Sequence, residues 1–226
     1  MSKNNKKNNS NEKQNIMKSK ELKIIIVGDS GTGKTSFVNR YILNKFVDTC
    51  LATIVSQFSY KILKIGDLTY RLNFWDIAGQ DRNPEATKIF CKNTNGIILC
   101  CDASYRKSRD NTIKWKESVD KNINLKNIPI IIIENKCDLL GETENDYNKD
   151  IDELKNFAEQ NNIKNSFRTS AMKGYGIEDS MNYLINEIIN MNNLNDAYEE
   201  EENLRETIAL SEKPHHNSRA KKGNCC

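Results

Sequence analysis

The apolar positions of this chain fall into two rhythms. Leu22 to Val27 is a short, isoleucine-rich run broken only by Lys23, the pattern of a strand buried on both faces. Phe58 to Ile65 and Leu68 to Trp75 instead alternate with period two on either side of Gly66-Asp67, which predicts a hairpin of antiparallel strands. Dense runs at Gly96 to Cys101 and from Ile128 to Ile133, the latter extending to Glu134, predict two more strands, and Asn165 to Thr169 a weaker one. Between them, helical spacing appears over Thr35 to Leu43 and near 85–93, 109–122, 149–161 and 177–191. Strands alternating with helices at this interval predict an α/β, doubly wound fold: six strands, mostly parallel with one antiparallel, and helices on both faces.

The ends break the rhythm. Residues 1–20 are rich in Lys and Asn without periodicity and read as a disordered arm. Residues 193–226 read as a flexible tail, with acidic Glu199 to Glu202, a weakly helical stretch to Leu210, and a Cys225-Cys226 terminus. The one expected domain is therefore 21–192 of the 226 residues.

Composition narrows the class. The net charge of +3 is too small for a broad basic face, which argues against a nucleic-acid partner. None of the seven cysteines forms a C-x-x-C pair, and their scatter suits a reducing compartment. No run of 18 apolar residues and no hydrophobic signal core is present, so the expectation is a cytosolic chain.

The candidate chemistry starts at "VGDSGTGKTS", Val27 to Ser36, which fits G-x-x-x-x-G-K-[ST] through Gly28, Gly33, Lys34 and Thr35. A strand feeds it and a helix leaves it. Backbone N–H groups from Ser30 to Ser36, with Gly31, Thr32 and Gly33 among them, can converge on phosphate oxygens. Lys34 then reaches the terminal phosphates and Thr35 offers a hydroxyl to Mg²⁺. The base is addressed by Asn135-Lys136-Cys137-Asp138, followed after another strand by Thr169-Ser170-Ala171. The Asp138 carboxylate can accept from both N1–H and the exocyclic amine of guanine, a donor pair that adenine lacks. In "WDIAGQD", Asp76 can hold Mg²⁺, Gly79 can offer its N–H to a γ-phosphate, and Gln80 can orient an attacking water.

Together these motifs resemble the small GTPases of the Ras superfamily, and within them the Rab family, over residues 21 to about 192. The resemblance implies GTP/GDP and Mg²⁺ as ligands, with Lys34 and Gln80 as the catalytic residues. It also implies that Thr53, 19 residues after Lys34 and 23 before Asp76, binds Mg²⁺ only in the triphosphate state. Phe46 matches the aromatic that packs on guanine, and Phe58, Trp75 and Phe90 match an aromatic triad presented to effectors. Cys225 and Cys226 resemble a doubly prenylated end, and two lipid chains are what stable anchoring takes. Implied partners are an exchange factor, a GTPase-activating protein, effectors and a prenyl-handling chaperone, acting on a monomer. The implied location is the cytosolic face of an intracellular membrane with a cytosolic pool. "WDIAGQ" and "KWKESVDKNI" at 114–123 are similar to the Rab branch that serves lysosome-related organelles and mitochondria, which points to an endolysosomal membrane.

Three departures accompany the likeness. Val55-Ser56-Gln57 replaces a glycine-hydrophobic-acidic run, Asn83-Pro84 replaces arginine-phenylalanine surroundings, and Met172 replaces a lysine. They leave open an alternative, a non-cycling scaffold locked in one nucleotide state. No arginine is placed by sequence beside the γ-phosphate, so fast hydrolysis is expected to need an activating protein.

Overall fold

The computed structural model describes residues 19–47, 53, 55–79, 89–123, 125 and 128–193. Its centre is a six-stranded sheet built from β1 (Ser19–Val27), β2 (Gln57–Ile65), β3 (Leu68–Asp76), β4 (Gly96–Asp102), β5 (Ile130–Asn135) and β6 (Asn165–Arg168). The spatial order is β2-β3-β1-β4-β5-β6. Only β2 runs antiparallel, paired with β3 around the Gly66-Asp67 turn, and the other four pairings are parallel. Among the described residues, the α-helices are α1 (Lys34–Leu43), α2 (Arg106–Asp120), α3 (Glu144–Tyr147), α4 (Ile151–Gln160) and α5, residues 177–193, besides the short helical piece at 89–91.

Burial on both faces explains the dense apolar runs. Along β1, Ile24 and Ile26 face a core with Phe37 of α1 and Met181, Leu184 and Ile188 of α5. Ile25 and Val27 face the opposite core, with Trp115 of α2 and Leu154 of α4. Each isoleucine so buried contributes about 1.5–3 kcal/mol over its exposed state, so both helical layers are held by the same strands. β2 sits at an edge, and its alternating pattern leaves Phe58, Tyr60 and Ile62 exposed on one face.

Several bounds differ from the sequence reading. β1 begins at Ser19, inside the stretch read as an arm, because β3 is long enough to offer Thr69 and Tyr70 as ladder partners to Ser19 and Lys20. Ladder pairing uses the backbone, which leaves no hydropathy signal at Ser19 and Lys20. β5 starts at Ile130, after Pro129, which has no N–H to give a ladder. α2 starts at Arg106, three residues before the expected position, and α5 extends to 193. The short α3 was not foreseen. It rests on a reciprocal cap in which Asp146 N donates to Thr143 Oγ1 while the Asp146 carboxylate accepts from Thr143 N. Of the helix expected near 85–93, residues 89–91 are helical and 80–88 lie outside the described residues. The arm up to 18 and the tail from 194, with Cys225 and Cys226, also lie outside them.

Candidate functional site

Parallel strands deliver their carboxyl ends to one edge, and every loop singled out by sequence leaves from that edge: 28–33 after β1, 77–79 after β3, 136–138 after β5 and 169–172 after β6. They enclose a cavity of about 360 Å³. It is lined by Ser30, Gly31, Gly33, Lys34, Thr35 and Ser36 on one wall, and by Asn135, Lys136, Asp138 and Ala171 on the other. Phe46, Thr53 and Gly79 of the expected set line it too, whereas Thr32 and Ser170 do not. Met172, noted above as a departure, also lines it, as do Val47 and Leu139, of which sequence gave no sign.

The wall formed by the glycine-rich loop depends on Gly33. Its φ of 89° is left-handed, and a Cβ there would come within 2.3 Å of the Asn135 amide nitrogen. With glycine in place, α1 begins at the next residue, and its first turn, Lys34 to Ser36, lines the cavity, where a helix N-terminus suits an anion. The Lys34 ammonium is buried and donates to the carbonyls of Gly28 at 2.9 Å and Asp29 at 3.0 Å. Burial lowers its pKa, with nearby Cys100, Asp76 and Asp29 opposing the shift. The acidic group of the loop is turned away: Asp29 accepts from Trp115 Nε1 at 3.0 Å and Asn111 Nδ2 at 2.6 Å. No carboxylate of this loop therefore repels an anion in the cavity.

Three oxygen groups cluster beside Lys34. The Thr35 hydroxyl donates to Asp76 Oδ2 and lies 2.8 Å from the Thr53 hydroxyl. Asp76 is buried, which pushes its carboxyl up from the usual range against the pull of Thr35 and Lys34. Its Oδ1 is buried and has no hydrogen-bond partner among the described residues. Two hydroxyls and an orphaned carboxylate oxygen are a hard-oxygen set, which fits Mg²⁺ shared with phosphate better than a thiolate- or imidazole-seeking metal.

On the opposite wall Asn135 is a strut. Its amide nitrogen donates to the Thr32 carbonyl at 3.1 Å, and its oxygen accepts from Thr169 Oγ1 and Ala171 N, both at 3.2 Å. Ser170 Oγ donates to Asp138 Oδ1, and Lys136 pairs with Asp102 at 2.8 Å. Thus Thr32 and Ser170 do not face the cavity; their contacts brace the loops that do. Arg40 of α1 grips the same loop from outside, donating to the carbonyls of Ala171 at 2.6 Å and Met172 at 2.8 Å. Sequence reasoning missed Arg40, since nothing in a surface-type arginine on a helix signals a partner 131 residues away.

Outside the cavity, Phe58 stacks edge-on against Trp75 at 5.4 Å between centroids, and Trp75 tilts against Phe90 at 5.8 Å. The three expected aromatics therefore form one continuous row, half of Phe58 exposed, at the β2–β3 edge. Gln80 and Asn83-Pro84 lie outside the described residues. No helix among the described residues is long and apolar enough to cross a membrane.

Comparison with known proteins agrees with this geometry. Residues 23–190 match the Ras family. The chain is 35% identical over 168 residues to Ras-related protein Rab-32C of Dictyostelium discoideum, covering 74% of this chain and 73% of that protein. It is 31% identical to human Ras-related protein Rab-32 over 74% of this chain and 75% of the relative. With Ras-related protein Rab7 of Prunus armeniaca it shares 33% over 84% of this chain and 90% of the relative.

Proposed function

Because this chain belongs to the Rab family of small GTPases, we propose that it works as a Mg²⁺-dependent switch that binds GTP, hydrolyses it slowly to GDP, and is anchored to an intracellular membrane through its C-terminal cysteines. The observation that carries the reading is the meeting, in one cavity, of a buried lysine and an oxygen cluster at one end with the Asp138 carboxylate at the other. A phosphate chain suits the first and a guanine the second.

In this reading Lys34 and the amides of Ser30, Gly31 and Gly33 to Ser36 neutralise the phosphates, and their fixed positions cost little reorganisation as charge develops. Thr35, Thr53 and Asp76 would hold the magnesium ion, which when bound offsets charge on the phosphate oxygens. Gln80 orients the attacking water, and Gly79 donates its N–H toward the γ-phosphate. Asp138 accepts from the base, with Ala171 and Phe46 flanking it. Loss of the γ-phosphate removes what Thr53 and Gly79 hold, so both segments let go and the aromatic row with them changes. An exchange factor, an activating protein, effectors and a prenyl-handling chaperone are the partners such a cycle requires. The cytosolic face of an endolysosomal membrane is the proposed address, with a cytosolic pool.

The nucleotide released on denaturing freshly purified protein tests the reading. Guanine nucleotide in near-stoichiometric amount is expected, and EDTA should speed its release at least about tenfold, since the oxygen cluster then loses its counter-charge. ATP, or no nucleotide at all, would refute it.

One contact favours a second reading. Ala78 N donates to Ser56 Oγ at 3.2 Å, which ties the segment before β2 to the segment after β3 without any phosphate. A non-cycling scaffold would use such a tie. Single-turnover hydrolysis separates the two: for a switch, Gln80→Leu should slow the reaction about ten- to a hundredfold by misplacing water. Equal rates would favour the scaffold.

A further inference from the structure

Directly behind the two base-facing loops lies a buried ion network that the nucleotide reading does not use. Glu134 is the residue before Asn135, and Arg168 the residue before Thr169. They are ladder partners across β5 and β6. Arg168 Nε stands 2.6 Å from Glu134 Oε2, and Arg109 Nε of α2 stands 3.6 Å from Glu134 Oε1. All three side chains are buried, with 3% exposure for Glu134, 5% for Arg109 and 6% for Arg168. Outward, the network continues through Glu153, which takes Arg106 at 2.5 Å and Arg109 at 3.6 Å.

We propose that Glu134 and Arg168 are positioning residues for guanine, because their ion pair fixes how far apart the loops carrying Asp138 and Ala171 stand. This rests on the guanine reading of the cavity. Past the pair, the two strand ends are bolted together: Thr169 N donates to the Glu134 carbonyl at 3.0 Å, Cys137 N to the Thr169 carbonyl at 3.1 Å, and Ser170 Oγ to Asp138. Arg168 also braces the far side of the loop. Its Nη1 donates to the Tyr147 carbonyl at 3.1 Å, the Tyr147 ring packs on Tyr175 at 5.3 Å, and Ser170 N donates to the Tyr175 carbonyl at 2.9 Å. A buried carboxylate between two buried guanidiniums has no solvent to relax into, so removing one charge shifts the others and the strand ends they sit on. A single point charge cannot reproduce the two contacts of the Arg168 fork.

The test uses full-length protein loaded with fluorescent GDP or IDP and chased with excess GDP. Hypoxanthine lacks the exocyclic amine that donates to Asp138, so the ratio of IDP to GDP dissociation rates reads the grip of that carboxylate alone. In Glu134→Gln and Arg168→Lys, GDP release should quicken about tenfold and the ratio should fall toward one. In Arg106→Ala, which breaks only the exposed arm, the ratio should stay as in the natural chain. An unchanged ratio in either variant that remains folded by circular dichroism, whatever its melting temperature, overturns the proposal. If Glu134→Gln does not fold, Arg168→Lys is read alone by the same criterion. A natural chain that binds neither nucleotide, or releases both at one rate, overturns the guanine reading itself and this inference with it.

Discussion

Asp138→Asn is expected to lower affinity for GDP by about 10⁴-fold and to admit xanthosine diphosphate, which the natural chain rejects. The carboxylate reaches the cavity from the loop after β5 and has about four lone-pair sites. One oxygen takes the Ser170 hydroxyl, which leaves room for two donors from the base edge. An asparagine amide aims N–H groups at those same donors. Two like dipoles then face each other, which costs more than a missing bond. Xanthine carries a carbonyl where guanine carries its amine, so the amide N–H that repels the amine donates to the carbonyl. Equilibrium titration with both diphosphates checks the claim. An unaltered GDP affinity would show that the base does not sit against Asp138.

Gly79→Ala should leave GDP binding within a few-fold of the natural chain and lower single-turnover GTP hydrolysis at least about 100-fold, the loss typical when one preorganised donor is removed. A Cβ at this position would lie 2.3 Å from Ser30 N, 2.6 Å from Ser30 Cα and 2.7 Å from Asp29 C. These are backbone atoms of the phosphate loop and cannot yield without spoiling the cradle. The segment after β3 must therefore stand off from the loop, and its N–H no longer reaches the γ-phosphate. Trp75, four residues earlier and stacked between Phe58 and Phe90, is a built-in reporter. Its fluorescence difference between the GTP and GDP forms should vanish in the variant. Hydrolysis at the natural rate would remove Gly79 from the mechanism.

What could be read from the chain beforehand was whatever is encoded locally. Six strands, one antiparallel hairpin and helices on both faces followed from apolar periodicity, because a strand or helix that buries a face must carry the matching apolar spacing in its own residues, whichever element covers it. The phosphate loop was legible because its glycines, lysine and hydroxyl are contiguous. The supports were not. Arg40 finds its carbonyls 131 and 132 residues away, and Asn135 reaches Thr32 across 103. Glu134 meets Arg168 only because β5 and β6 pair in one register, which no window of sequence encodes. The start of β1 was missed for a related reason: Ser19 and Lys20 are strand residues by virtue of a neighbour, not of their own hydropathy.

The pairing of β2 with β3 carries a last implication. Gln57 lies opposite Asp76, so the chain enters the hairpin and leaves it at the same point. The stretch bearing Thr53 and the stretch bearing Gly79 are thus rooted side by side on nine-residue strands that do not bend independently. A displacement of one root drags the other, and a half-relaxed form with a single loosened stretch would strain the shared base. The on and off populations should accordingly be divided sharply, and a partner that senses either stretch learns the condition of both.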